Sequence, residues 1–199
     1  MREELKHLAE LVTGIARPRA GDVVPRPRKP HLHQFRDDGE TPNNPRYPFI
    51  HYKSAVPLDA RFDPAAVFEV LFARNGWKHS WRDGIYPYLH FHTYTHEVLG
   101  IARGHARVQF GGKNGVIKVL KAGDVVINPA GTGHRRLSGS KDLLVVGAYP
   151  TKRGGGKYNE PKPEDVDIEK ARKQIARVGI PARDPVYGAK DGLKKVWRK

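Results

Sequence analysis

The stretch LHFHTYTHEVLGIARG (residues 89–104) decides how the chain is interpreted, because metal-ligand side chains crowd a segment that otherwise has the pattern of a β-strand. Side chains on a strand alternate between its two faces, so His90 and His92 should share one face. After a tight turn, Glu97 on the returning strand can face the same side, and its neighbour His96 then points away. We therefore predict that two imidazoles and one carboxylate converge from adjacent strands.

A later segment, GDVVINPAGTGH (residues 123–134), supplies a further histidine, His134, at a turn rich in glycine and proline. Cysteine is absent, which excludes thiolate ligands, so any metal must be held by nitrogen and oxygen. Three imidazoles and a carboxylate suit one divalent transition metal: Fe, Mn, Ni, Co, Cu or Zn. In an octahedral ion, four protein ligands leave two positions open to water, a bidentate substrate or dioxygen.

The surrounding sequence has the pattern of a small antiparallel β-protein. Between residues 81 and 150, short apolar segments alternate with glycine-containing turns, as is typical of a sandwich or barrel. YPFIHYK (residues 47–53) is predicted to be a further strand. A helix is predicted to start at Asp63-Pro64 and to stop at Gly76, and another over residues 164–178. Both helices should pack outside the barrel.

The two ends of the chain have a different composition. Lysine and arginine crowd both ends and contribute much of the formal net charge of +15. We predict an N-terminal helix (residues 3–15) on a flexible Pro/Arg-rich linker, the two forming residues 1–34, and a basic C-terminal tail over residues 189–199 whose last few residues are mobile. The ordered domain should then span residues 35–188, with the barrel core at about 47–150.

Charge and hydropathy also bear on partners and location. No zinc-finger spacing, RNA-binding aromatic signature or helix-turn-helix motif accompanies the positive charge, so we expect no specific nucleic-acid partner. No apolar run reaches the length of a membrane span, and the N-terminus lacks the features of a secretory signal. We expect a cytoplasmic protein with no membrane association. Whether it forms a homodimer is open.

The two histidine segments carry a resemblance to a known superfamily. The first matches the first cupin motif at every signature position, in the pattern Gly84-x5-His90-x-His92-x4-Glu97-x6-Gly104. The second matches the second cupin motif in the pattern Gly123-x5-Pro129-x-Gly131-x2-His134. Its customary final Asn is replaced by Ser138, which does not affect the ligands. Both motifs occur in the expected order, separated by one hairpin.

Other segments narrow the resemblance to the uncharacterised bacterial cupins of the YjlB type. They are DDGETPNNP, NGW, THEVLGIARGHARVQFGG, GDVVINPAGTGH, VVGAYP and DPVYG. The resemblance covers about residues 35–188 and implies a mainly β, single-domain double-stranded β-helix, or jelly-roll barrel, with peripheral helices. It also implies that His90, His92, Glu97 and His134 are metal ligands. The resemblance to this family implies no particular substrate.

Three functions are compatible with these features. The first is a metal-dependent enzyme, dioxygenase- or oxidoreductase-like, that acts on a small polar metabolite. The second is a non-catalytic binding or sensory cupin, and the third is a metal-dependent isomerase or lyase. No further base or nucleophile motif is found, so no catalytic residue is assigned. Tyr86 and Tyr88 share strand parity with His90 and are candidates to line the pocket, although ordinary aromatic packing explains them equally well.

Overall fold

The computed structural model describes residues 15–151, 159–189 and 191–198. The strands are β1 (His31–His33), β2 (Phe49–Tyr52), β3 (Trp77–Asp83), β4 (Glu97–Arg103), β5 (His105–Phe110), β6 (Val116–Lys121), β7 (Val125–Asn128), β8 (His134–Gly139) and β9 (Leu144–Pro150). The α-helices are α1 (Pro64–Arg74), α2 (Ile168–Ile175) and α3 (Leu193–Trp197), with 3-10 turns at Ala20–Asp22 and Pro163–Asp165.

The strands form two antiparallel sheets. The large sheet has the order β1-β2-β7-β4-β9-β3, and the small sheet has the order β6-β5-β8. One apolar cluster joins them, because Phe49, Leu99 and Val126 of the large sheet pack with Val108 and Phe110 of the small one. The predicted fold is confirmed: the protein is a mainly β, double-stranded β-helix barrel with peripheral helices.

The centre of the large sheet is covered on both faces, which explains why its inner strands β2, β7, β4 and β9 are buried almost throughout. Leu99 and Val126 face the small sheet. Their neighbours in sequence, Val98 and Ile127, point the opposite way and pack with Phe68 and Leu71 of α1. The helix approaches closely at Gly100, where an added Cβ would lie 2.3 Å from the Phe68 ring. Residue size at this one position therefore sets how close α1 lies to the barrel.

The first predicted helix begins as expected. The Asp63 side chain accepts the backbone N–H of Ala65, with Pro64 in the first turn. The helix ends at Arg74, and Gly76 follows with φ +81°. The second predicted helix is shorter than residues 164–178, because a 3-10 turn precedes α2 and Asp167 caps it by accepting the N–H of Lys170 at 3.1 Å.

The N-terminal linker differs from the predicted flexible tether. The predicted helix over residues 3–15 lies almost entirely outside the described residues. The Pro/Arg-rich segment after it lies on the barrel: Val23 is buried, and the N–H of Arg26 donates to the Ala55 carbonyl at 2.8 Å. Arg17 also pairs with Glu69 of α1 at 2.9 Å. The segment is extended, as Pro and Arg favour, but one apolar side chain and backbone hydrogen bonds hold it in place.

The C-terminal segment also differs from the predicted mobile tail. Leu193 and Trp197, one helical turn apart in α3, are both buried against the large sheet. The Trp197 indole N–H donates to the Pro48 carbonyl at 2.9 Å, and the ring stacks on Tyr47 with 4.9 Å between centroids. Lysines lie between these two apolar positions, so the composition of the segment did not indicate an amphipathic helix. In the parts of the chain that the structure describes, no helix has the length and apolarity of a bilayer span.

A buried acid beside β7 gives a test of how the sheets are held together. The Asp124 carboxylate accepts the backbone N–H groups of Ser54 (2.7 Å) and Lys121 (3.0 Å) and lies 3.2 Å from His51 Nε2. Burial raises the pKa of Asp124, but the hydrogen bonds from His51 and the two N–H groups outweigh it and lower the pKa below its ordinary value. The carboxylate therefore stabilises the fold at pH values above its ordinary pKa, and this stabilisation is lost as the pH falls through the lowered pKa.

We expect Asp124→Asn to reduce the free energy of unfolding by about 1.5–3 kcal/mol at neutral pH, the range for hydrogen bonds to a charged group. The difference from wild type should shrink once the pH is below 3.8, the ordinary pKa of the carboxyl. Urea denaturation of both proteins at neutral and acidic pH measures this. A difference that is the same at both pH values would contradict the assigned role of the charge.

Candidate metal centre

Three histidines meet in the interior of the barrel. His90, His92 and His134 each offer a ring nitrogen, and these nitrogens all lie within 4.8 Å of one another. All three side chains are buried. The group holds histidines from both sequence motifs and could bind a metal ion.

The backbone that places two of them is not the predicted strand. Residues 89–92 form only an isolated bridge, in which the N–H groups of His90 and His134 donate to each other's carbonyls at 3.2 and 2.9 Å. The ladder stops there because Phe91 donates to the Pro161 carbonyl instead, and the His92 carbonyl accepts from Gly131. His90 and His92 nevertheless lie on the same side, as alternation predicts.

Each histidine presents the same nitrogen to the group. The Nδ1 atoms of His90, His92 and His134 lie 3.2, 2.6 and 3.1 Å from the backbone carbonyl oxygens of Tyr88, Asn159 and Thr132. A carbonyl oxygen only accepts, so each Nδ1 must carry a hydrogen. Each Nε2 has a lone pair while its ring is neutral, and a second proton on His92 or His134 would lie on Nε2, facing Glu97. Ligating histidines are commonly held in this way, with the second nitrogen donating to a carbonyl. In each neutral ring, Nε2 is therefore the nitrogen that can bind a metal.

Glu97, at the first position of β4, lies beside the three histidines. Its carboxylate oxygens lie 3.3 Å from His92 Nε2 and 3.2 Å from His134 Nε2. Burial raises the pKa of Glu97, but the charges and hydrogen bonds of these two histidines outweigh it and hold the pKa well below its ordinary value. Glu97 is therefore an anion in the barrel interior and contacts two of the three histidines. This donor set fits a divalent transition metal.

The histidines differ in their electrostatic surroundings. Burial, reinforced by the neighbouring His134, lowers the pKa of His90 to about 3, so this ring is neutral at physiological pH. Burial also acts to lower the pKa of His92, but the charge and hydrogen bond of Glu97 outweigh it and raise the pKa. A buried anion that attracts positive charge, next to a neutral imidazole, favours the binding of a cation at this point.

His96 lies outside the group, as strand alternation predicts. Its ring is buried, with Nδ1 accepting the backbone N–H of Ala130 at 2.9 Å and Nε2 lying 3.0 Å from the Gly179 carbonyl. Both nitrogens are therefore engaged with the backbone. The role of His96 is structural, because it links the turn that leads to His134 with the segment that follows α2.

A cavity of about 690 Å³ leads to the cluster. His90, Glu97 and His134 contribute to its lining, with aromatic side chains beside them. Of the two predicted tyrosines, Tyr86 lines the cavity, whereas Tyr88 stacks on Tyr86 with 4.8 Å between ring centroids. Both tyrosines are more than a third exposed.

Several residues around the site were missed by sequence reasoning. Tyr149 of β9 donates its hydroxyl to Glu97 Oε1 at 3.2 Å, and Asn128 of β7 donates to Glu97 Oε2 at 3.3 Å. Asn159 holds His92 through its carbonyl. Asn128 was within reach of prediction, because it directly precedes Pro129 of the second motif and pairs with Glu97 in the sheet. Nothing in the local sequence distinguishes Tyr149 or Asn159.

Solved structures similar to the chain are distant. Acireductone dioxygenase from Bacillus anthracis, described with a cadmium ion in its active centre, is 19% identical with a TM-score of 0.36, covering 56% of this chain and 82% of that one. RmlC from Streptococcus suis, in complex with dTDP-D-xylose, is 14% identical with a TM-score of 0.34, covering 87% and 93%. The 11S globulin from Wrightia tinctoria is 15% identical with a TM-score of 0.32, and the match covers 51% of this chain but only 31% of the globulin.

The sequence relationship is much stronger. No family model matches the chain. A protein named YjlB from Bacillus subtilis (strain 168), described as uncharacterized, is 39% identical over 172 residues. The match covers 86% of this chain and 99% of that protein, so it includes the barrel and both histidine motifs. On this identity and on its barrel fold, the chain belongs to the YjlB family of cupins.

Proposed function

We propose that the protein is a metal-dependent enzyme, with dioxygenase- or oxidoreductase-like chemistry, that acts on a small polar metabolite. The observation that supports this most is the convergence of three imidazole nitrogens and one carboxylate at the wall of an open cavity. A metal clasp that only stabilised the fold would have no need of access from solvent. Here the cavity gives a ligand a path to the cluster.

The residues of the site would divide the work as follows. His90, His92 and His134 would hold the metal through Nε2, and Glu97 would supply the anionic ligand. A divalent transition metal at this position would supply Lewis-acid polarisation or, where it is iron, redox chemistry with dioxygen. The backbone carbonyls behind the imidazoles keep the rings in one orientation.

The cavity suits a small polar ligand. Its volume of about 690 Å³ lies within the range of roughly 300–1,000 Å³ that is usual for small-molecule sites. Thr95, Asp83 and Glu160 place polar groups on its lining. The Arg82 guanidinium is committed to Glu69 and Asp63, at 2.7 Å each, so its charge is already balanced by protein carboxylates. Recognition would therefore rest on the metal and on the hydroxyl and carboxyl groups of this lining.

Elemental analysis of the full chain, purified without added metal, tests the proposal. We expect about one equivalent of a single transition metal, with iron as the metal that supports oxygen chemistry. Zinc, nickel or manganese would favour an isomerase or lyase instead. Metal-free protein that retains a small molecule, identified by mass spectrometry of the denatured sample, would favour a binding or sensory role. Protein that neither contains metal nor takes it up would refute the proposal.

A further inference from the structure

A chain of two hydrogen bonds connects the cavity wall to the Glu97 carboxylate. The Trp81 indole N–H donates to the Tyr149 hydroxyl oxygen at 2.8 Å, and the Tyr149 hydroxyl donates to Glu97 Oε1 at 3.2 Å. An indole nitrogen only donates, so the phenol oxygen must accept from Trp81. The phenol proton is then directed toward Glu97. Trp81 therefore fixes the direction in which Tyr149 donates.

The fold holds the indole firmly in this position. Trp81 of β3 is paired with Gly147 of β9, and an added Cβ at Gly147 would lie 2.1 Å from the indole. One side of the ring therefore lies directly on the backbone of β9, two residues from Tyr149. The pairing of β3 with β9 is irregular between Lys78 and Trp81, and His79 within that irregularity has φ +54°. Such bulges commonly re-aim a side chain next to a functional site.

The second carboxylate oxygen has a matching donor. Asn128 Nδ2 donates to Glu97 Oε2 at 3.3 Å, and it comes from β7, on the other side of β4 from β9. Each oxygen of Glu97 thus receives one neutral donor and contacts one imidazole. These two donors bond to the carboxylate oxygens and hold the carboxylate plane.

We propose that Tyr149 is a positioning residue for Glu97, and that Trp81 acts on Glu97 only through the Tyr149 hydroxyl. The two hydrogen bonds from Trp81 to Tyr149 and from Tyr149 to Glu97 would set how tightly the centre holds its metal, because a ligand that is pre-oriented loses less freedom when the ion binds. This inference rests on the proposed metal centre. It adds two residues of the cavity wall to the machinery of that centre.

A double-mutant cycle tests the proposal. Tyr149→Phe removes only the hydroxyl. Trp81→Phe removes the indole N–H donor together with part of the ring, and the double variant removes both groups. The Co²⁺ affinity of each metal-stripped protein is measured by competition with a chelator, and the cobalt absorption spectrum reports the geometry. Tyr149→Phe should weaken binding by about 10–100-fold, the usual effect of losing an outer partner of a ligand. Trp81→Phe should weaken it less, and the double variant should match Tyr149→Phe alone.

Trp77→Phe is the matched control, because the Trp77 indole N–H donates to the Arg183 carbonyl at 3.0 Å and not to the cluster. It should leave Co²⁺ affinity within about twofold of wild type, since ordinary packing changes do not act through the carboxylate. In metal-free protein, Tyr149→Phe should shift the indole N–H resonance of Trp81 and leave those of Trp77 and Trp197 in place.

Three results would overturn the proposal alone while the metal centre stands. They are a Tyr149→Phe variant that binds Co²⁺ as well as wild type, effects of the two substitutions that simply add, and a Trp81 resonance that does not respond to Tyr149→Phe. Wild-type protein that takes up no Co²⁺ would instead overturn the metal centre, and this inference with it.

Discussion

His92→Ala is expected to abolish stable metal binding. The substitution removes one of three converging Nε2 donors and also leaves Glu97 without the imidazole that lies 3.3 Å from it. We expect metal content to fall from about one equivalent to less than about a tenth, since losing a ligand costs more than the 10–100-fold typical of an outer partner. Elemental analysis of the purified variant measures it. The barrel should still fold, because its core does not depend on this side chain.

His96→Ala and His105→Ala are the controls for that experiment. His96 is buried with both ring nitrogens bonded to the backbone, so its loss should lower the melting temperature while metal content stays near that of wild type. His105 is exposed on β5, and its loss should change neither quantity. If the His96 variant lost its metal while the His92 variant kept it, the ligand set assigned here would be wrong.

Asp184→Ala is expected to have the largest effect on stability. The buried Asp184 carboxylate accepts the Tyr52 hydroxyl at 2.8 Å and the backbone N–H groups of Val186 (2.7 Å) and Leu193 (2.8 Å). It also accepts the N–H of Tyr187 at 2.9 Å. Without this acceptor, several buried donors have no partner, at a cost of about 1–3 kcal/mol each. We therefore expect the free energy of unfolding to fall by about 3 kcal/mol or more.

Urea denaturation monitored by tryptophan fluorescence measures the change in Asp184→Ala. Asp184→Asn keeps one acceptor oxygen and should fall between wild type and the alanine variant. Asp142→Ala is the control at an exposed acid, and it should stay within about 0.5 kcal/mol of wild type. An Asp184→Ala variant as stable as that control would show that the buried donors find other partners.

The sequence predicted best what depends on neighbours in the chain. Asp63 with Pro64 marks a helix start through local hydrogen bonding, and the His-x-His spacing puts two imidazoles on one side even where no regular strand forms. Tyr149 and Trp81 could not be found in this way, because their meeting depends on how β3 pairs with β9. That register is a property of the whole sheet.

The errors at the two ends have one physical cause. Composition identified both ends as solvated, since lysine, arginine and proline dominate them. A few apolar side chains decide otherwise: Val23 in the N-terminal segment, and Leu193 with Trp197 in α3, are buried. The average composition of a segment gives these few side chains little weight, although burial of each one removes a large apolar area from water.

The docking of α3 on β2 has a consequence for how the protein is made. Trp197 bonds to Pro48 across 149 residues of sequence, and Asp184 bonds to Tyr52 across 132. During synthesis, the outer face of β2 must wait for residues that leave the ribosome long after it, and contacts of such long range form slowly. The barrel, whose last strand ends at Pro150, therefore carries an uncovered apolar face until residues 184–197 have been made. Premature termination before residue 184 would leave that face permanently open, as a substrate for chaperones and proteases rather than as a smaller working barrel.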